Sequence, residues 1–224
     1  MNELARGLYR WAARHPEWHP GAHAGDFGAE VGSYAALAGD ELLLIDPLVA
    51  EDDTSTLEAL DTLHGAATDT SILITIGYHA RSAEALAARY GATVFGPPQV
   101  ARRLERARFA PLEPGGAPGP AGVVAHAIGK PRRGETPLWL PSHRALAFGD
   151  ALVVTPAGEL RMWAQDQDEP KRRAFYRERF APTLAPLAAL EPAHVLVTHG
   201  EPVLGDGARA LRAAIAADPW FRAG

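Results

Sequence analysis

His15, His19 and His23 recur every four residues. On a helix that interval would bring three imidazoles to one face and make a metal site. Pro16, Pro20 and Gly21 interrupt it, so no regular helix carries them, and they are read as loop histidines. Ser142-His143 sets a hydroxyl beside a base. No acidic partner stands nearby and no Gly-x-Ser-x-Gly elbow occurs, so a serine nucleophile is poorly supported. The chain has no cysteine, which excludes disulfides, thiolate metal sites and thiol nucleophiles. Any metal must then use His, Asp or Glu, donors that suit zinc, iron or manganese. Trp11 and Trp18 would line a substrate mouth in a functional reading; packing in the core or a loop is the commoner role.

Composition narrows the partners. The chain has 224 residues, 47% of them apolar, so it buries a sizeable core as one domain. The net charge is −5 with both signs interspersed, and no basic patch offers itself to a phosphate backbone, so no nucleic-acid partner is expected. Lys171 to Arg173 with Arg177 and Arg179 is mixed with Glu169 and Glu178 and reads as a solvated helix face. The opening MNELARGLYRW has no apolar signal region, and no apolar run approaches the roughly 18 residues of a membrane span. A cytoplasmic location without membrane contact is the default expectation. The oligomeric state is not legible.

Elements that would position a site follow from periodicity. Val31–Leu37 and Glu41–Ile45 are apolar runs split by Gly39-Asp40, a hairpin pattern, and Asp46-Pro47 ends the second. Leu57, Leu60 and Leu63 predict a helix over Thr54–His64. Ser71–Ile76 is a strand of the doubly buried kind. Ser82 opens a helix that Gly91 stops. Pro97–Arg108 reads as a further helix, and the Pro/Gly-rich 111–122 as a linker between two strand-rich halves. Val123–Ile128, Pro137–Leu140, Ala145–Phe148 and Ala151–Val154 predict strands. Helices over Lys171–Phe180 and Thr183–Leu190, a strand at His194–Thr198 and a helix at Gly207–Ala217 complete the chain.

Four of these segments, in order, resemble the metallo-β-lactamase superfamily: ELLLIDPLV, SILITIGYHARSAEALAARYGATVFGPP, RALAFGDALV and HVLVTHGEPV. The resemblance spans most of residues 31–217. It implies an α/β (α+β) fold, the four-layer αββα sandwich, with metals held by loops at one edge of the two sheets. The superfamily's central motif is H-x-H-x-D-H. Leu86-Ala87-Ala88-Arg89-Tyr90-Gly91-Ala92 matches its helix end, and seven residues back from Leu86 stands His79. In that register Ile74 and Ile76 replace the first two histidines, Tyr78 replaces the aspartate and His79 survives. A rival register anchored on Thr75 puts Arg81 last and keeps no ligand; the longer helix anchor favours the first. Lys130 stands where a third histidine is usual, Asp150 matches the bridging aspartate, and His199 the final histidine. Asp46 has a structural role in the superfamily.

The resemblance thus implies that one metal has lost its private ligands, while His79, Asp150 and His199 remain for a second. Two functions stay open. One is a hydrolase of an ester, thioester, lactone or phosphoester using at most one ion (zinc, iron or manganese), with Tyr78 or Lys130 stabilising charge on the attacked group. The other is a metal-free binding or structural module that is catalytically inactive. Without metal, Asp150 at the end of a buried strand needs a protein cation. Lys130 is the expected candidate and Arg81 the reserve.

Overall fold

The computed structural model describes residues 1–19, 28–165 and 167–221. His23 lies outside them. A first sheet collects β1 (Asn2–Ala5), β2 (Leu8–Arg14), β3 (Glu30–Ala38), β4 (Glu41–Ile45), β5 (Asp69–Leu73), β6 (Thr93–Gly96) and β7 (Phe109–Pro111) in chain order. The β1–β4 part is an antiparallel meander, and β4 to β7 run parallel. Crossovers from β4 to β5 and from β5 to β6 are made by α1 (Thr54–Ala66) and α2 (Ala83–Tyr90), as parallel pairing requires.

The second half holds β8 (Val124–Ala125), β9 (Leu138–Leu140), β10 (Ala145–Ala147), β11 (Leu152–Val154) and β12 (Leu160–Ala164). Then come α3 (Pro170–Phe175), a π-helical turn at Tyr176–Phe180, α4 (Ala181–Ala188), β13 (His194–Leu196), α5 (Gly207–Ala216) and β14 (Trp220–Phe221). Four strands order as β13-β10-β9-β8 and three as β11-β12-β14. Val154 N–H donates to the carbonyl of His199, just past β13, and joins the two groups.

Side-chain alternation along the strands builds the layers. In β4, Leu43 and Ile45 point to one face, where they meet Leu138, Leu140, Ala145, Ala147 and Leu196 of the second half. Leu42 and Leu44 point to the other, against Leu60 and Leu63 of α1 and Leu86 of α2. On the far side, Leu146, Leu152, Met162 and Val195 pack under Tyr176, Phe180, Leu184 and Leu211 of the last helices. Three apolar seams separate four layers in the order helix, sheet, sheet, helix, as the αββα expectation has it.

Several local expectations need correction. Only Pro98–Arg103 turns helically in the 97–108 stretch, as a 3-10 segment, because Arg108 is drawn into pairing, its carbonyl accepting from Val94 N–H. Asp53 caps α1, accepting from Thr56 N–H at 3.0 Å. Ser82 precedes α2 without capping it; its hydroxyl accepts from Val49 N–H at 3.0 Å instead. Strands β1, β12 and β14 are too short or too mixed in character to be anticipated.

The loop after β13 needs a glycine. Gly200 has φ +87°, and a Cβ there would sit 2.2 Å from the Val154 carbonyl oxygen. An L side chain is strained in that conformation and would also push β11 away. Gly200→Ala is expected to destabilise the fold by about 2 kcal/mol or more. Urea unfolding checks this; a midpoint unchanged from wild type would refute the close approach.

Candidate functional site

Strand ends bring the site together. The parallel pairs β4/β5 and β10/β13 finish at the same edge, so the residues that follow them converge: Asp46 after β4, Thr75 to His79 after β5, Asp150 after β10 and His199 after β13. Cross-sheet bonds hold the two edges in register. Tyr34 donates its hydroxyl proton to the Val197 carbonyl at 2.7 Å, and Gly32 N–H donates to Thr198 O at 2.8 Å.

Asp150 is the centre. It is 4% exposed. Tyr78 donates its hydroxyl proton to Asp150 Oδ2 at 2.8 Å. Arg132 Nη1 stands 3.9 Å from the same oxygen. His79 Nε2 and His199 Nε2 each lie 3.5 Å from Oδ1. Burial opposes the charge, but these two imidazoles outweigh it and hold the Asp150 carboxyl well below the usual range. Beneath it Glu135, also buried, accepts the N–H groups of Gly149, Asp150 and Ala151 at 2.9, 2.9 and 2.7 Å. Burial and the neighbouring Asp150 push the Glu135 carboxyl up to about 7.

Asp46 supports the other side. Its Oδ1 accepts from Thr75 N–H at 2.8 Å and its Oδ2 from Thr75 Oγ1 and, at 2.9 Å, from His79 Nδ1. His79 is therefore clamped between two carboxylates. Burial works against its charge, but Asp46 and Asp150 overcome it and raise the imidazolium to about 9. Asp46 (φ +44°) and Arg81 (φ +32°) both sit in the left-handed region, where non-glycine residues store strain that surrounding structure must hold.

The expected residues are only partly assembled. Tyr78, His79, Asp150 and His199 meet. Lys130 does not: it is exposed, and the ion pair to Asp150 expected from it comes from Arg132. The reason is a tight turn. Arg132 N–H donates to the Gly129 carbonyl at 3.0 Å, which puts Lys130 and Pro131 at the corners, facing solvent, and returns Arg132 to the interior. Arg132 is 7% exposed, its Cζ lies 5.0 Å from the Trp163 ring centroid, and its Nη2 donates to Trp163 O at 3.4 Å. Arg81 makes no ion pair with Asp150; its Nη1 reaches the Asp46 carbonyl at 3.5 Å. Ile74 is fully buried in the seam under α1 and α2, so the register that set it in a ligand position places it on the wrong face of the sheet.

Sequence reasoning missed Arg132, Glu135 and Trp163. Glu135 carried a faint signal, an acid two residues before the buried run Pro137–Leu140. Trp163 lies on an unanticipated strand, and Arg132 looked interchangeable with Arg133.

Ile76 and the exposed Lys130 offer no donor to a dinuclear centre, and Ile74 faces away from the site. A single ion would draw on His79, Asp150 and His199, yet among the described residues no group of three His, Asp or Glu is placed to hold a metal. The charges explain the arrangement. The buried Arg132 guanidinium already stands 3.9 Å from Asp150 Oδ2, and a dication held by Asp150 would be repelled by it. The residues present do not fit a metal ion.

Arg132→Met should destabilise the fold by on the order of 3 kcal/mol, because it strands a buried carboxylate. Asp150→Asn in the same chain should recover much of the loss, and Lys130→Met should stay within about 0.5 kcal/mol of wild type. Chemical unfolding of the four proteins decides; equal costs for Lys130→Met and Arg132→Met would refute the pairing. The raised His79 value also predicts a pH dependence. Its contribution is complete below the ordinary 6.5 and is lost as pH rises through about 9. Stability should therefore fall between those values in wild type, and His79→Gln should flatten the slope.

No protein-family model and no curated protein matches the chain. Solved structures do. A metallo-β-lactamase from Hirschia baltica superposes with a TM-score of 0.63 at 13% identity, covering 96% of this chain and 95% of that one. One from Erythrobacter litoralis gives 0.61 at 16%, covering 96% and 89%. The FIM-1 enzyme from Pseudomonas aeruginosa, solved in a mono-zinc form, gives 0.60 at 10%, covering 96% and 93%. Similarity at this level of identity establishes architecture, and the chain has the metallo-β-lactamase fold.

Proposed function

We propose that this protein is a metal-free small-molecule-binding module built on the metallo-β-lactamase fold, not a dinuclear hydrolase. The observation that carries this reading is the closed charge balance around Asp150, with Arg132 and His79 standing where metal charge would otherwise be needed. A cavity of about 230 Å³ opens over these residues, lined among others by Trp18, Tyr78, Arg81, Trp163 and His199. A concave site with aromatic walls and a few convergent polar groups is the usual form of a ligand pocket. The Tyr78 hydroxyl is committed to Asp150, and Lys130 is exposed and does not line the cavity.

A one-ion hydrolase is the second reading, favoured by one observation. Asp150 Oδ1 makes no hydrogen bond, although two imidazole nitrogens stand 3.5 Å away. That reading requires His79 to give up a proton and Arg132 to withdraw. No helix among the described residues is long and apolar enough to cross a membrane.

Zinc loading followed by desalting and elemental analysis separates the two readings. The expected content is far below one ion per chain, with no measurable hydrolysis of a β-lactam. One tightly held ion per chain would overturn the metal-free module and support the hydrolase.

A further inference from the structure

The cavity is not electrically neutral in its ligand-facing groups. Asp150, its one buried acid among the described residues, is met by Tyr78, His79, His199 and Arg132. Glu17 lies at the exposed rim. Arg81 is different. It lines the cavity, is half-buried, and among the described residues makes no ion pair; its hydrogen bond there is the 3.5 Å contact to the Asp46 carbonyl. Burial pulls its pKa below the ordinary value, and the nearby Asp46 and Asp150 offset this only in part. The backbone at Arg81 is held at φ +32°, so the side chain is presented from a strained turn and not from a freely rotating helix position.

The other walls are apolar or neutral. Trp18 is held under the Arg14 guanidinium, 4.7 Å from its centroid. Trp163 meets the His199 ring edge-on at 5.3 Å. Tyr78 is 51% exposed at the mouth. His15 accepts from Glu17 N–H through Nδ1 at 3.1 Å. The neutral ring therefore carries its proton on Nε2 and adds an uncharged donor beside Arg81.

Resting on the reading of the fold as a metal-free binding module, we propose that the cavity binds a small carboxylate with a flat apolar body. Its carboxylate pairs with Arg81, and its body packs between Trp18, Tyr78 and Trp163. A guanidinium presents parallel N–H groups that match a carboxylate's two oxygens. The aromatic walls favour a flat ring, and about 230 Å³ is below the roughly 300–1,000 Å³ of pockets for drug-sized ligands. A fully hydrated phosphate would match the charge and leave the aromatic walls unused.

Calorimetric titration of EDTA-treated protein with benzoate, benzamide and inorganic phosphate tests this. Benzoate should bind at least about tenfold tighter than its neutral isostere benzamide, about the effect of one charge-assisted contact. It should also bind more tightly than phosphate. Arg81→Gln should erase the preference for benzoate over benzamide, and Arg81→Lys should keep part of it. The wild-type comparison stands even where a variant fails to fold. Equal affinities for benzoate and benzamide, no binding of either, tighter binding of phosphate, or an unchanged preference in folded Arg81→Gln would each overturn the proposal. A stoichiometric zinc ion in the loading experiment would instead overturn the metal-free reading, so the two failures are told apart.

Discussion

A carboxylate at the seam of two sheets, cut off from water, must meet its charge inside the protein. Asp150 imposes that constraint here, and much of the surrounding edge answers it. Two imidazoles, a phenol and a guanidinium surround its oxygens, and its own N–H goes to Glu135. Transfer of an unpaired carboxylate into such a place costs several kcal/mol or forces protonation. The protein cations beside Asp150 offset that cost.

The second carboxylate, Asp46, explains how a loop of irregular backbone holds the first in place. By accepting from Thr75 twice and from His79 once, it ties the end of β4 to the turn after β5. The same turn then aims Tyr78 and His79 at Asp150 and leaves Arg81 at the cavity. Positive φ at Asp46 and Arg81 is tolerated because these bonds over-determine the loop. The apolar seams on either side of the sheets do the rest, since their packing fixes the separation between the two strand edges.

The solved metallo-β-lactamases share this architecture over nearly their whole length at 10–16% identity. Layers specified by alternating apolar residues survive such divergence, because any aliphatic side chain of similar volume fills the seam. Sites depend on particular atoms at particular places and do not survive it in the same way. Ile74 and Ile76, which follow β5, illustrate the difference: both are buried, and neither can bind a metal.

Many strands and helices were legible in the sequence because strand alternation and helix spacing are local properties, and the αββα layering came with the resemblance. The hairpin at Gly39-Asp40, the α2 stop at Gly91 and the strand runs before Asp46, Asp150 and His199 were all readable on those grounds. Resemblance also brought Tyr78, His79, Asp150 and His199 together before any coordinates did. What the sequence could not decide was which cation answers Asp150. Lys130, Arg132 and Arg133 lie within four residues and carry the same charge, and only the turn closed by the Gly129 carbonyl and the Arg132 N–H sends one inward and the others out. Nor could it show that Glu135, fifteen residues from Asp150, folds beneath it, or that Trp163 supplies the face on which Arg132 rests. Those partners are distant in sequence or hidden among like residues. Their selection is a matter of direction in space, which follows from long-range packing and not from local pattern.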